Sequence, residues 1–155
     1  MDEHEMGERY VSTSTIRIDA RRDRVWAVLT DPNAAREFMF GTELETDWSI
    51  GGPILWRGVH HGTPYEDRGV VLEFEPGRRL VHTHFSPLGG ADDLPENHHT
   101  LTWTLDAEPS VGAAGEAGTV LTLSQDNNAT REAAEHSRGM WDQLVAKVKE
   151  IAERS

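Results

Sequence analysis

The feature that most constrains the fold is a succession of short alternating segments that leads into one long amphipathic pattern. An alternation of apolar and polar side chains between turn residues is typical of strands with one buried face. Consecutive strands joined by short turns pair antiparallel, because parallel neighbours need long crossovers. The sequence therefore predicts an antiparallel sheet with one dry face. The six segments are 43–49, 54–61, 65–74, 79–86, 98–106 and 119–125.

Three helical patterns and one further strand accompany these segments. A strand is predicted over 10–19, and apolar residues at helical spacing follow it until near Thr30, because Pro32 disfavours helical geometry in the residue before it. A second short helix is predicted over 33–40. The last pattern runs from an N-cap at Thr130 to Glu153, with apolar residues three or four positions apart. The prediction is an α+β fold in which a curved antiparallel seven-stranded sheet surrounds the long C-terminal helix.

Charge and composition exclude several classes of function. The chain has 27 Asp and Glu against 15 Lys and Arg, a formal net charge of −12, whereas nucleic-acid binding needs a basic surface. The same charge disfavours binding to anionic membranes, and no apolar run approaches the roughly 20 residues of a membrane span. Because cysteine is absent, disulfides, thiolate catalysis and cysteine-ligated metals are excluded.

Length and terminal composition predict the organisation of the chain. A chain of 155 residues has the size of one ordinary domain. We predict a single domain over 10–155, preceded by a disordered lead over 1–9 that is too acidic and polar for a signal peptide. A cytoplasmic location is expected, since the chain also lacks cysteine.

A sheet that curves around one helix leaves space between the two unless large side chains fill it. An apolar cavity with a few convergent polar groups is the usual form of a small-molecule site. We therefore predict a ligand-binding cavity, with close packing of the same residues as ordinary core as the alternative. Strand alternation and helical spacing give its lining as Phe38, Trp48, Ile54, Trp56, His60, Leu80, His82, His84, Leu101, Trp103, Leu121, Leu123, Met140, Trp141 and Leu144.

Histidine offers the main alternative chemistry. His82 and His84 lie two apart on one predicted strand and so point to the same side, with His60 on a nearby strand. Three imidazoles are able to bind zinc, and one is able to act as a general acid or base. No recognised ligand spacing such as HExxH occurs. We predict a role in orienting a ligand, with no metal, no cofactor and no assigned catalytic residue.

Other polar and small residues are weaker candidates. The carboxylates of segment 43–49 lie opposite its apolar residues and are expected in solvent. In segment 65–74 the apolar face is assigned to Val70, Leu72 and Phe74, and Asp67 precedes it together with Glu66. Glycine inside a helix costs about 1 kcal/mol relative to alanine. Gly139, inside the last helix, therefore suggests a close approach by a strand or ligand, with a bend in the helix as the alternative.

Several motifs together resemble a known family. They are VWAVLTDP at 25–32, a glycine pair at 51–52 before a strand, VLEFEPGRRLVHT at 71–83 and a tryptophan in the last helix. Their order and spacing resemble the START-like (SRPBCC, Bet v 1-like) superfamily. Within it the chain is most similar to the small bacterial homologues of the heat-shock-protein-90 ATPase activator. The resemblance covers roughly residues 14–153 and implies a helix-grip fold with a pocket between the sheet and the long helix.

The resemblance implies less about activity, because fold does not fix function. The superfamily includes lipid and hormone binders, polyketide cyclases and chaperone cofactors. This chain departs from the family where His82 and His84 replace the usual aromatic residues. We expect binding of a small apolar or aromatic molecule by a monomer or homodimer. The alternatives are a cyclase or hydrolase that uses one of these histidines as a proton shuttle, and a chaperone-partner module.

Overall fold

The computed structural model describes residues 10–87, 90, 92–108 and 118–154. Its helices are α1 (Arg22–Thr30), α2 (Pro32–Phe38) and α3 (Arg131–Ala152), with a 3-10 turn at Pro95–Asn97. Its strands are β1 (Tyr10–Ile18), β2 (Glu43–Glu45), β3 (Pro53–His60), β4 (Thr63–Glu75), β5 (Arg79–His84), β6 (His99–Glu108) and β7 (Gly118–Asn128).

The seven strands form one sheet in the order β1-β7-β6-β5-β4-β3-β2. Every neighbouring pair is antiparallel, and α3 packs against β1 and β7. The predicted architecture of strand, two short helices, six strands and long helix is therefore confirmed. The predicted lead over 1–9 lies outside the described residues, and the division into one domain stays a prediction.

Side-chain caps explain where two helices begin. Asp31 stands before α2, and its carboxylate accepts a hydrogen bond from the Asn33 amide at 3.0 Å. The predicted N-cap Thr130 is confirmed, because its hydroxyl accepts from the Ala133 amide at 3.0 Å. Such caps satisfy amides that have no partner in the first helical turn. Among the described helices, none is long and apolar enough to cross a bilayer.

The second strand is shorter than predicted. It ends at Glu45 rather than at residue 49, because the side chains of Thr46 and Asp47 accept hydrogen bonds from backbone amides two residues onward. These bonds turn the chain, and Trp48 takes a positive φ of 60°. Asx and Ser/Thr turns of this kind compete with strand pairing.

The predicted buried face of β4 is wrong for Val70 and Leu72, whereas Phe74 packs against the core. Val70 and Leu72 are 39% and 44% exposed, whereas Val71 is fully buried. The pairing of β4 with β5 shifts register between Val71 and Glu73. An extra residue at such a bulge reverses the facing of every later residue, so the inward positions before it are Tyr65, Asp67, Gly69 and Val71.

The dry face of the sheet and the C-terminal half of α3 form the core. Val145, Val148 and Ile151 of α3 are buried there, and α1 covers the same end of the sheet with Val25 and Leu29. Burial of such side chains stabilises the fold by about 1.5–3 kcal/mol each. The predicted close approach of a strand to Gly139 is wrong, since a Cβ atom there would meet nothing within 4 Å.

Candidate functional site

A cavity of about 330 Å³ lies between the sheet and the middle of α3. Phe40 and Met140 of its lining are 66% and 48% exposed, so the cavity reaches the protein surface at these two residues. Strands β3 to β6, α3 and the loop after α2 contribute the lining, which is Met39, Phe40, Thr42, Trp56, Tyr65, Asp67, His82, His84, Leu101, Trp103, Met140, Trp141, Gln143 and Leu144.

Hydrogen bonds fix two of the tryptophan rings that wall the cavity. The indole N–H of Trp103 donates to Nε2 of His82 at 3.0 Å. That of Trp141 donates to Oε1 of Gln125 at 3.2 Å, and the buried Gln125 also accepts from the hydroxyl of Ser12 at 3.4 Å. Because both N–H groups have partners, these rings are able to offer apolar surface to a ligand without an unsatisfied donor.

His82 is a fully hydrogen-bonded core residue. Its Nε2 accepts from Trp103, so its proton lies on Nδ1, which donates to the carbonyl of Thr83 at 3.0 Å. Burial lowers the pKa of His82 to about 4, since desolvation penalises the imidazolium. A neutral ring with both nitrogens engaged positions Trp103 and is not free to shuttle protons.

His84 and Asp67 form the polar pair of the cavity. Nε2 of His84 lies 3.0 Å from Oδ2 of Asp67, and the two side chains are only 21% and 14% exposed. The other polar atoms of the pair, Nδ1 of His84 and Oδ1 of Asp67, are buried and have no hydrogen-bond partner. The imidazole and the ring of Trp56 pack in a T-shaped arrangement, with ring centroids 5.0 Å apart. The pair thus retains unused hydrogen-bonding capacity within an aromatic surrounding.

Two glycines make room for the aromatic walls. A Cβ atom at Gly69 would lie 2.0 Å from the carbonyl oxygen of Thr83 and 3.1 Å from the ring of Trp56. A Cβ atom at Gly58 would lie 2.6 Å from the hydroxyl of Tyr65, its cross-strand neighbour. Neither position tolerates a side chain without movement of its neighbours, so glycine is required by close approach.

Phe40 stands at the surface of the cavity in a strained conformation. Its φ of 54° falls in the left-handed region, which is uncommon for a bulky residue. The aromatic ring is nevertheless exposed rather than buried in the core. Backbone strain of this kind is often found at functional sites, and here it holds an apolar ring beside the cavity.

The structure divides the predicted lining residues into two groups. The residues brought together around the cavity are Trp56, His82, His84, Leu101, Trp103, Met140, Trp141 and Leu144. The remaining residues lie elsewhere. Trp48 packs against Phe74 and donates its indole N–H to the carbonyl of Thr30. Five others are buried in the core outside the cavity: Phe38, Ile54, Leu80, Leu121 and Leu123.

The predicted grouping of His60 with the other two histidines is wrong. His60 is exposed at the end of the β3–β4 hairpin, where it pairs with Thr63 and its ring packs edge-on against His61. The strand therefore carries it past the cavity. Among the described residues no group of three or more His, Cys, Asp or Glu side chains is arranged to hold a metal ion.

Sequence reasoning missed several residues of the lining. For Tyr65 and Asp67 the available signal was the alternation of Tyr65, Asp67, Gly69 and Val71 along β4. The bulge after Val71 concealed that these residues share the buried face. The others carry no periodic signal, because they lie in the loop after α2 or beside the apolar stripe of α3. The missed residues are Met39, Phe40, Thr42, Tyr65, Asp67 and Gln143.

Comparisons of sequence and structure find known proteins that are similar to this chain. A family model described as activator of Hsp90 ATPase homolog 1-like protein matches residues 19–153. A protein from Cytophaga hutchinsonii with a known solution structure is 36% identical, with 94% of this chain and 95% of that chain covered and a TM-score of 0.78. No match is found among the curated proteins.

More distant structures show the fold alone. The Aha1 dimer from Colwellia psychrerythraea is 16% identical, with 93% of this chain and 96% of that chain covered and a TM-score of 0.67. Ara h 8.0201 is 8% identical, with 93% and 97% covered and a TM-score of 0.64. At such identities the shared property is the arrangement of strands and helices.

Proposed function

The chain belongs to the family of activator of Hsp90 ATPase homolog 1-like proteins, and from that premise we propose that it binds a small, largely apolar ligand between its sheet and α3. The observation that carries the proposal is the cavity of about 330 Å³ walled by Trp56, Trp103 and Trp141. This volume lies at the lower end of the range for small-molecule sites, about 300–1,000 Å³. A molecule of one to three fused rings is the size of ligand we propose.

The lining supports an apolar ligand on energetic grounds. Leucine and aromatic side chains dominate it, and two of its rings already have partners for their N–H groups. Removal of apolar ligand surface from water contributes about 25 cal/mol per Å². The exposed Phe40 and Met140 extend the apolar surface to the outside, where a ligand would enter.

Native mass spectrometry of the purified protein tests the proposal first, because a co-purified ligand adds a defined mass. Displacement of the neutral dye Nile red by naphthalene then measures binding of a known apolar molecule. Leu144→Trp fills part of the cavity and is expected to lower naphthalene affinity at least about tenfold, since overpacked sites exclude their ligand. Gly139→Ala, on the outside of the same helix, is the matched control. No binding of either probe by the folded wild-type protein would contradict the proposal.

A second candidate is an acid–base enzyme that uses the same cavity, and the His84–Asp67 pair favours it. A carboxylate that accepts the Nε2 proton orients the imidazole and leaves Nδ1 as the site of proton transfer. Cyclisation or hydrolysis of an aromatic or polyketide-like substrate fits such a pair. His84→Gln would abolish turnover of a substrate under this candidate, whereas under ligand binding it would change only affinity.

The oligomeric state is a further part of the proposal. One structural relative is described as a dimer, the Aha1 dimer from Colwellia psychrerythraea. We propose that this chain exists as a monomer or a homodimer, and sedimentation equilibrium of the purified protein measures which. A higher assembly would contradict this.

A further inference from the structure

We propose that the ligand carries an aromatic body and a hydrogen-bond donor head, a hydroxyl or an amine, that binds Asp67, and that anionic ligands are rejected. This inference rests on the proposed binding function and names the chemical class of its ligand. The observations behind it are the polar atoms of the His84–Asp67 pair that lack a hydrogen-bond partner and the charge of the cavity lining.

Asp67 presents an acceptor that its surroundings do not satisfy. One carboxylate oxygen, Oδ2, accepts from Nε2 of His84 at 3.0 Å, while Oδ1 is buried without a hydrogen-bond partner. An ionised carboxylate accepts hydrogen bonds and donates none. A buried acceptor without a donor is costly, and a group that supplies the donor recovers that free energy. The complementary ligand group is therefore a donor.

His84 does not change this requirement. With its Nε2–H directed at Asp67, its Nδ1 points away from that carboxylate, because the two ring nitrogens of an imidazole face different directions. The head group therefore has Oδ1 of Asp67 as its partner, to which a hydroxyl or an ammonium group is able to donate. A donor is the chemistry that the two head groups share.

The charges around the cavity oppose an anion. No lysine or arginine is among its lining residues in the described part of the chain, and Asp67 is an acid there. The whole chain carries a formal net charge of −12. A ligand carboxylate would have to lose its hydration beside another carboxylate, with no cation fixed to receive it. A cationic head would instead meet the Asp67 carboxylate, in a cavity whose lining includes three tryptophans, a side chain that attracts cations.

The rings around the His84–Asp67 pair indicate where the aromatic body of the ligand would lie. The ring centroid of Trp56 lies 5.0 Å from that of His84 and 5.4 Å from that of His82. Trp56 also stands directly opposite Asp67 in the β3–β4 pairing. A head group at Asp67 thus leaves the rest of the molecule against the rings of Trp56, Trp103 and Trp141, the apolar part of the lining.

A matched ligand series tests this inference by calorimetry at pH 7. The series shares one body and varies the head: naphthalene, 2-naphthol, 2-naphthylmethylamine and 2-naphthoate. For the wild-type protein we expect the naphthol or the amine to bind at least about tenfold more tightly than naphthalene, since hydrogen bonds to charged groups are strong. Naphthoate is expected to bind more weakly than naphthalene. Preference for the amine identifies an organic cation, and preference for naphthol identifies a phenol.

Two variants complete the experiment. Asp67→Asn removes the charge and is expected to reduce the advantage of the donor heads at least about tenfold, while naphthalene affinity changes less than about threefold. Glu66→Gln, an exposed neighbour paired with Arg57, is the control and should leave the order of affinities unchanged. Equal binding of all four compounds, tightest binding of naphthoate, or an unchanged preference in Asp67→Asn would overturn the inference. Failure of naphthalene to bind the wild-type protein would overturn the proposed function instead.

Discussion

The space between the sheet and α3 has two ends that the same strands form. Core side chains fill one of them, the solid end, and the other contains the cavity and is called the hollow end. At the solid end Leu105 and Leu121 face each other across β6 and β7 and are at most 2% exposed. At the hollow end of the same two strands Leu101 pairs with Gln125 and lines the cavity. Helix α1 packs against α3, β6 and β7 and so closes the solid end.

The inward-facing side chains differ in polarity between the two ends. Along β1 they change from Ser12 and Ser14 at the hollow end to the fully buried Ile18 at the solid end. Along β7 they change from Gln125 to Leu121. Apolar side chains interdigitate freely, whereas buried polar ones are held where their hydrogen bonds direct them. At the hollow end, hydrogen bonds to His82 and Gln125 hold the rings of Trp103 and Trp141 at the cavity wall.

The largest expected effect comes from truncating the solid end. Leu105→Ala should lower the free energy of unfolding by about 4 kcal/mol, because a dense core relaxes little around a new void. Leu101→Ala, on the same strand and equally buried (3% against 2%), should cost about 2 kcal/mol, since its side chain already borders empty volume. Urea denaturation of both variants measures the difference. Equal losses would mean that the two ends are packed alike.

The next largest effect is the pH dependence that His82, at the hollow end, gives to the free energy of unfolding. Its folded pKa of about 4 lies below the usual 6.5, so the unfolded chain binds more protons between these values. Stability is therefore fully present above pH 6.5 and falls by about 3 kcal/mol as the pH drops to about 4. Denaturation at several pH values measures this loss.

A variant isolates this contribution from the carboxylates that titrate nearby. His82→Gln keeps a polar group beside Trp103 but removes the imidazole. The wild-type free energy of unfolding should fall more steeply than that of the variant between pH 6.5 and 4, by about 3 kcal/mol in total. Parallel pH profiles for the two proteins would refute the assignment of a buried neutral histidine.

A smaller effect is expected where glycine permits the close approach of β4 and β5. Gly69→Ala should destabilise the fold by about 2 kcal/mol, because its Cβ would clash with the carbonyl of Thr83. The same shift should move Trp56 and weaken naphthalene binding in calorimetry. A variant with wild-type stability and affinity would show that this end of the sheet adapts without cost.

The smallest effect has the opposite sign. Gly139→Ala should raise the free energy of unfolding by about 1 kcal/mol, since the position is helical and open. Thermal denaturation detects such a gain, and ligand affinity should stay unchanged. A loss of stability would mean that the outside of α3 has a contact that the structure lacks.

The elements of this fold were predictable because local chemistry determines them. The alternation of β6 and β7, the cap at Thr130 and the break before Pro32 were all visible in the sequence. The candidate site was predictable only in part, because strand alternation assigns a face but no position along it. Leu121 and Leu101 share the dry face, yet Leu121 lies in the core and Leu101 lines the cavity.

Irregular backbone hid the rest of the site. The bulge in β4 reversed the predicted face, and Asp67 was therefore left as a flanking residue. The turn at Trp48 and the hairpin end at His60 took two predicted residues away from the cavity. Phe40 lines the cavity in a conformation with positive φ, which no periodicity of the sequence reveals.

The five tryptophans of the chain distinguish ligand binding at the hollow end from binding at the solid end. Trp56, Trp103 and Trp141 line the cavity, whereas Trp26 and Trp48 pack against Phe74 outside it. Titration of ¹⁵N-labelled protein with naphthalene reports on each indole N–H separately by nuclear magnetic resonance. We expect the three cavity signals to shift and saturate together while the other two stay in place. Shifts in Trp26 and Trp48 alone, equal shifts in all five, or none at all would contradict this expectation.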